Sequence, residues 1–191
     1  MKKLALVLAL ASIAGSALAA PQTYAIDPTH TQPRFEYNHF GYSNQMHSFD
    51  KTSGTIVYDK AAKTGSVDVT IDAKSVNTGY PLFNEHIQDE DFFNTAKYPT
   101  ITFKSTAVKF DGDKPVSVDG NLTIKGVTKP VTLTLTSFQA MPHPIMKKDA
   151  IGANAVTRIK RTEFNMGKYA PYVSDDVILQ IPLEAVAVDK Q

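Results

Sequence analysis

The chain has 191 residues, with 20 basic and 19 acidic side chains and no cysteine. The absence of cysteine excludes disulfides, cysteine-ligated zinc sites and thiol catalysis. The formal net charge is +1, so the sequence shows no excess of basic residues. Phosphate binding needs a concentrated basic surface, which argues against a nucleic-acid partner.

The first nineteen residues have the pattern of a signal peptide. Lys2 and Lys3 make the first segment positive, residues 4–13 are a mostly apolar run, and residues 17–19 form the small-x-small site that a signal peptidase reads. The apolar run is too short to span a bilayer, which takes about 20 residues. We expect cleavage after Ala19, because cleavage one residue later would place Pro21 directly after the scissile bond. We therefore expect export to the periplasm of a Gram-negative bacterium.

The expected mature chain, residues 20–191, suits a single soluble domain. It keeps 172 of the 191 residues, and its formal net charge is −1 because Lys2 and Lys3 are removed. A chain of this length can bury a sizeable core without covalent cross-links.

From Arg34 onwards, apolar and polar residues alternate with the period of half-buried strands. The apolar positions of four such runs are Val67, Val69 and Ile71; Val116, Val118, Leu122 and Ile124; Val131, Leu133 and Leu135; and Val177, Leu179, Ile181 and Leu183. Turn-forming residues at 59–65, 111–115 and 125–130 make links that are too short for crossover helices. The sequence predicts an all-β protein in which about eight antiparallel strands form a barrel or a sandwich.

One interval, residues 79–99, departs from this period. Its apolar and aromatic side chains recur at three- and four-residue steps, at Leu82, Phe83, His86, Ile87, Phe92 and Phe93. This spacing predicts a short helical insertion near residues 79–94. The insertion is either a mobile cover or a static plug on one end of the barrel.

Aromatic residues are concentrated in the first half of the chain. They are Phe35, Tyr37, Phe40, Phe49, Phe83, Phe92, Phe93, Tyr98 and Phe103. The interior of an eight-stranded barrel is either filled by side chains or holds one small ligand. The aromatic residues therefore form a packed core or line a cavity, and the pattern alone leaves both alternatives open.

The histidines and carboxylates do not have the spacing of a metal or catalytic site. The closest histidine pair, His39 and His47, is eight residues apart, whereas ligands that share one face lie two apart on a strand or three to four apart on a helix. We predict no metal, although a site assembled from distant positions stays open. No Gly-x-Ser-x-Gly elbow occurs, and Asp175 and Asp176 have the pattern of turn charges, so we predict no enzyme.

Arg161 shares the two-residue period of the preceding apolar positions. Residues on the same face are Ile151, Ala153, Ala155, Thr157 and Ile159. If this face is the inner one, the guanidinium lies in an apolar chamber and needs a carboxylate or a polar ligand group as its partner. The alternative is an outward Arg161 with Val156 facing inward.

Four stretches of the mature chain carry a family resemblance. They are residues 24–30 (YAIDPTH), 91–103 (DFFNTAKYPTITF), 118–131 (VDGNLTIKGVTKPV) and 161–166 (RTEFNM). Together, and in this order, they resemble the YceI-like family of bacterial periplasmic proteins. Where that family has Asp-Phe-Gly, this chain has Glu163, Phe164 and Asn165. Because asparagine tolerates positive φ, we expect the turn to survive.

The resemblance implies a lipocalin-like antiparallel β-barrel with an elongated pore. The pore would hold a polyisoprenoid such as a ubiquinone or a prenyl pyrophosphate, with no catalytic cofactor. Apolar residues that would line it are Phe35, Tyr37, Phe40, Phe49, Phe83, Ile87, Phe92, Phe93, Phe103, Leu122, Leu133, Ile159 and Phe164. The candidates for headgroup contact are Arg161, His30 and Tyr98.

We therefore expect a periplasmic protein that sequesters or transports an isoprenoid quinone without covalent chemistry. Its partners would be the lipid and, transiently, a membrane surface, and a homodimer is compatible with this function. The alternative is a stress-protective or interaction module that has a filled barrel and no ligand.

Overall fold

A computed structural model describes residues 20–189. The expected signal peptide, residues 1–19, lies outside the described residues. Within them the strands are β1 (Gln22–Ile26), β2 (Arg34–His39), β3 (Ser43–Phe49), β4 (Thr52–Asp59), β5 (Thr64–Asp72), β6 (Val76–Asn77), β7 (Thr100–Asp111), β8 (Lys114–Ile124), β9 (Val127–Pro142), β10 (Asp149–Lys160) and β11 (Asp176–Ala187). The helices are α1 (Pro81–His86) and two 3₁₀ helices (Ala73–Ser75 and Arg161–Phe164).

Eight of the strands close into an antiparallel barrel in the order β1-β4-β5-β7-β8-β9-β10-β11. Closure occurs because β1 pairs with β4 on one side and with β11 on the other. The edge of β11 is shared, since residues 178–180 pair with β2 and residues 185–187 pair with β1. Strands β2, β3 and β6 continue the sheet from that junction. The predicted lipocalin-like barrel is confirmed, with three strands in addition to the expected eight.

The alternation of side chains along β10 decides which way Arg161 points. Ile151, Ala155 and Ile159 are buried, whereas Asn154 and Arg158 are exposed. Arg161 directly follows β10 on the buried parity and is only 8% exposed. The inward orientation of Arg161 is therefore confirmed, and the outward alternative is wrong.

Two turns show how local backbone chemistry sets the strand ends. Lys125 and Gly126 both have positive φ, as a two-residue hairpin turn requires. The turn predicted at 125–130 is therefore too long, because Val127 already pairs with Ile124. Asn165 adopts the left-handed conformation at φ 57° and ends the second 3₁₀ helix, so the turn expected there does survive.

The predicted helical insertion is present but shorter than residues 79–94. Helix α1 begins at Pro81, whose missing N–H is tolerated in a first turn, and ends after one and a half turns at His86. Successive turns then carry the chain to β7. Among residues 20–189, no helix has the length and apolar character needed to cross a membrane.

A compact cluster fills the barrel near the start of β10. It consists of Tyr24, Ile56, Tyr58, Ile151 and Ala185. The ring of Tyr58 stacks on Phe110 at 6.4 Å and meets Phe138 edge-on at 5.4 Å between centroids. This end of the barrel is therefore packed, and the remaining interior space lies toward the other end of β10.

Gly120 on β8 permits the close approach of Phe103 on β7. A Cβ atom at Gly120 would lie 2.4 Å from Phe103 Cζ, whereas one at Gly152 would meet no atom within 4 Å. We expect Gly120→Ala to lower the free energy of unfolding by about 1–3 kcal/mol through overpacking. Urea unfolding measures this loss, with Gly152→Ala as the matched strand control. Equal unfolding midpoints for the two variants would contradict the steric explanation.

Candidate functional site

The unfilled part of the barrel is an apolar cavity of about 420 Å³. This volume lies within the range of about 300–1,000 Å³ that is typical of small-molecule sites. The barrel strands contribute their inward side chains, which are Val67, Val69, Ile71, Ile101, Phe103, Leu122, Ile124, Val131, Leu133, Ile159, Val177, Leu179, Ile181 and Leu183. The two-residue period of the strands therefore places their apolar side chains at the cavity wall.

Aromatic side chains from β2, β3 and the segment after α1 complete the wall. Phe93 meets Phe35 edge-on at 5.7 Å and Phe49 edge-on at 5.4 Å between ring centroids. Phe83 and Ile87 line the cavity from α1 and its C-terminal end. The helical insertion thus forms one side of the cavity.

The structure places twelve of the thirteen predicted pore residues at the cavity wall. They are Phe35, Tyr37, Phe40, Phe49, Phe83, Ile87, Phe92, Phe93, Phe103, Leu122, Leu133 and Ile159. Phe164 is a correction, because it does not line the cavity. It lies on the second 3₁₀ helix, and its ring is 1% exposed among the core residues. Contact of the twelve with a ligand stays a prediction.

Arg161 lines the cavity, but backbone carbonyls occupy most of its donors. Its Nε donates to Ser174 O at 2.8 Å, Nη2 to Val173 O at 2.7 Å, and Nη1 to Lys168 O at 2.8 Å and also to Met166 O. Four of the five guanidinium N–H groups are thus engaged. The expected carboxylate or ligand partner is therefore not required, and Arg161 fixes the loop at residues 166–174.

The other two headgroup candidates lie away from the cavity. His30 is exposed, and its Nδ1 is 2.8 Å from Asp27 Oδ2. Hydrogen bonds from Thr29 and His30 lower the pKa of Asp27 to about 2. The ring of Tyr98 packs on Gly126, where a Cβ would lie 2.6 Å from Tyr98 Cε1. The structure thus corrects the predicted positions of His30 and Tyr98.

One group among the described residues has the spacing of metal ligands. Atoms of Asp27, His30 and Glu184 lie within 4.8 Å of one another on the surface. Asp27 and His30 lie three residues apart, and the pairing of β1 with β11 brings the distant Glu184 next to them. Because His30 already bonds to Asp27, the arrangement is explained as a hydrogen-bonded turn, and its spacing alone does not establish a metal site.

Tyr37, at the cavity wall, forms a polar pair with His47 on the neighbouring strand. Tyr37 Oη lies 3.1 Å from His47 Nε2, and Tyr37 lines the cavity. Burial raises the pKa of Tyr37 and lowers the pKa of His47. His47, which is 5% exposed, was missed as a site residue because β3 reads as a mostly polar strand.

The cavity opens to solvent beside two exposed wall residues, one of which lies in the loop that Arg161 fixes. Phe40 and Tyr169 both line the cavity, and they are 48% and 52% exposed. Across the opening, Lys168 Nζ pairs with Asp91 at 2.7 Å, and the rings of Phe92 and Tyr169 lie 6.4 Å apart. We call Phe40, Phe92 and Tyr169 the mouth. The loop residues Met166, Lys168, Tyr169 and Val173 also line the cavity, and no periodic pattern marks them in the sequence.

Comparison with known proteins identifies the family. A family model described as YceI-like domain matches residues 24–185. The chain belongs to the YceI-like family. It is 40% identical over 190 residues to Protein YceI of Escherichia coli O157:H7, covering 97% of this chain and 98% of that protein. It is 37% identical to Protein YceI of Salmonella arizonae, with the same coverage.

Solved structures of related proteins share the fold. BcnA of Burkholderia cenocepacia superposes with a TM-score of 0.73 at 27% identity, over 83% of this chain and 98% of that chain. The YceI protein of Campylobacter jejuni gives a TM-score of 0.68 at 33% identity, over 81% and 90%. A polyisoprenoid binding domain from Saccharophagus degradans gives 0.67 at 21% identity, over 87% and 99%. At that identity, the last likeness shows the fold alone.

The contacts of Arg161 generate a stability prediction for this YceI-like protein. Arg161→Met leaves four carbonyl groups of residues 166–174 without their donors, so we expect a loss of about 3 kcal/mol or more in the free energy of unfolding. Arg158→Met, on the exposed face of β10, is the matched control and should change stability little. Urea unfolding gives both values. Equal losses in the two variants would show that the carbonyl contacts of Arg161 contribute nothing to the free energy of unfolding.

Proposed function

We propose that this protein binds an isoprenoid lipid, with a ubiquinone as the expected ligand, and carries it through the periplasm. The observation that supports this most directly is the apolar cavity, which is closed at the Tyr58 end and open at the mouth. A chain-like apolar ligand fits such a site, because its tail can lie among aliphatic and aromatic side chains while its head remains near the opening. The Saccharophagus degradans domain, which shares the fold, is described as polyisoprenoid binding.

The energetics favour exchange with a membrane over capture from water. Burial of each CH₂ group from water gains about 0.8 kcal/mol, so a long prenyl tail would bind irreversibly if water were its starting point. A tail that starts in a bilayer leaves one apolar environment for another, and its net gain is near zero. The cavity can therefore load and unload the lipid, as a carrier requires.

The mouth is the part of the barrel that we propose contacts the membrane during exchange. Aromatic side chains are favoured at membrane–water interfaces, and Phe40 and Tyr169 present exposed rings beside the opening. Docking by the mouth would let the tail pass between bilayer and cavity without crossing water. A homodimer stays a prediction.

Binding without covalent chemistry is part of the proposal. Two polar side chains of the wall, Arg161 and Tyr37, are hydrogen-bonded to the protein itself. The alternative of a filled barrel with no ligand is less favoured, because the described interior holds a cavity of about 420 Å³.

Blocking the cavity tests lipid binding. Leu133 faces inward on β9 and its neighbour Thr134 faces solvent. We expect Leu133→Trp to occupy the space of the tail and to lower uptake of ubiquinone from vesicles at least tenfold, while Thr134→Trp leaves uptake unchanged. Native mass spectrometry after incubation with quinone-containing vesicles measures the bound fraction.

The folded state of both tryptophan variants is checked by circular dichroism before the comparison. Equal uptake by the two folded variants would contradict binding inside the barrel.

Export is tested separately from lipid binding. We expect the chain expressed in a Gram-negative host to be recovered from the periplasmic fraction with Ala20 as its first residue, because the peptidase site ends at Ala19. Intact mass and N-terminal sequencing identify the cleavage point. Recovery of the uncleaved chain in the cytoplasmic fraction would contradict the proposed location.

A further inference from the structure

The polar groups around the cavity differ in how many of their N–H or O–H donors are free to bond a ligand. Four of the five N–H groups of Arg161 are bonded to carbonyls of the 166–174 loop, so Arg161 cannot present the two-pronged fork that a phosphate group prefers. Lys168, the cation at the mouth, is paired with Asp91 at 2.7 Å. Arg34, His39 and His86 also line the cavity, but Arg34 and His39 are exposed, and His86 Nδ1 lies 3.4 Å from Asp89 Oδ2. The buried part of the wall therefore offers little free positive charge for an anionic head.

The Tyr37–His47 pair is different, because its protons can be assigned from the groups around it. The His47 ring is 5% exposed and lies between aromatic rings, with centroids 5.4 Å from both Phe35 and Phe83. Within residues 20–189, its Nδ1 has no hydrogen-bond partner. Since burial lowers the pKa of His47, the ring is neutral and carries a single N–H.

Two arrangements of that proton are possible, and they have different costs. With the proton on Nδ1, a buried N–H would have no acceptor, which costs the full desolvation of that group. With the proton on Nε2, His47 donates to Tyr37 Oη, and only an acceptor lone pair on Nδ1 stays unpaired. Buried unpaired donors are rarer than under-satisfied acceptors, so the second arrangement is favoured.

In the second arrangement the Tyr37 hydroxyl oxygen accepts from His47, and its own proton is free. Tyr37 lines the cavity and is only half-buried, so this proton can be directed toward a ligand. The hydroxyl is then a fixed single donor beside the apolar and aromatic side chains of the wall. Such a donor matches one uncharged oxygen acceptor.

We infer that the Tyr37 hydroxyl, held by His47 Nε2–H, is the donor that recognises the head of the bound lipid, and that this head is an uncharged carbonyl such as that of a quinone. The inference rests on the proposed function and makes it more specific. Tyr37 contacts the ligand, and His47 is a positioning residue that acts through Tyr37. A prenyl diphosphate whose head entered as far as Arg161, by contrast, would have to break the bonds of this guanidinium to the 166–174 loop to be paired with it.

The experiment compares Tyr37→Phe with the wild type for two probes, a short-tailed ubiquinone and a prenyl hydrocarbon of the same chain length. Loss of one hydrogen bond is expected to weaken quinone binding about fivefold to tenfold and to leave hydrocarbon binding unchanged. The infrared carbonyl stretch of the bound quinone should move to higher wavenumber in Tyr37→Phe. Tyr58→Phe, which removes a hydroxyl from the packed end of the barrel, is the control and should behave as the wild type.

His47 is tested by rescue. His47→Leu removes the donor that fixes Tyr37, so the carbonyl stretch should move part of the way toward its position in Tyr37→Phe. His47→Gln retains an N–H donor and is expected to restore the wild-type spectrum. If the His47→Leu protein has the wild-type spectrum, His47 does not position Tyr37.

The outcomes separate this inference from the proposed function. If the wild type binds neither probe, the proposed function fails. If the wild type binds both, and Tyr37→Phe keeps the same ratio of affinities and the same carbonyl stretch, lipid binding stands and the role of Tyr37 is overturned. A wild type that prefers a prenyl diphosphate of equal length over the quinone overturns the assignment of an uncharged head.

Discussion

The pairing of β1 with both β4 and β11 is the constraint on which the rest of the structure depends. It joins the first and last strands of the barrel, so no strand of the ring keeps a free edge there. Once the ring is closed, the two-residue period of each strand sends one set of side chains inward and the other to solvent. The cavity is a consequence of this closure, because its wall is the inward set of the barrel strands together with the aromatic side chains of β2, β3 and α1.

The buried part of the cavity is apolar because the buried charged group beside it is bonded to the protein. Arg161 illustrates this most clearly: a guanidinium next to an apolar chamber is stabilised by carbonyls of the 166–174 loop, and in return it holds that loop at the mouth. The same contacts thus stabilise the buried charge and fix the loop at the entrance. The Tyr37 hydroxyl is a half-buried donor that stays available to a ligand, so the head can be bonded while the tail lies in the apolar part of the cavity.

Much of this architecture could be predicted from the sequence, because strand alternation is a local signal. The parity of β10 correctly put Arg161 on the face of Ile151 and Ile159, although it left open whether that face is the inner one, and the clustered aromatic residues do lie at the wall. The partners of Arg161 could not be predicted, since they are backbone carbonyls of an aperiodic loop. His30 and Phe164 were misplaced for a related reason: motif membership does not say which way a side chain points. His47 was missed because its importance comes from a tyrosine on the neighbouring strand.

The central claim, that the barrel holds an isoprenoid lipid, is tested most directly by native mass spectrometry of the protein purified from a bacterial periplasm without detergent. We expect a fraction of the protein to carry an added mass that solvent extraction releases and that fragmentation identifies as a prenyl lipid with an uncharged, oxygen-bearing head. Protein that is consistently empty, and that also takes up no quinone when incubated with quinone-containing vesicles, would contradict the account.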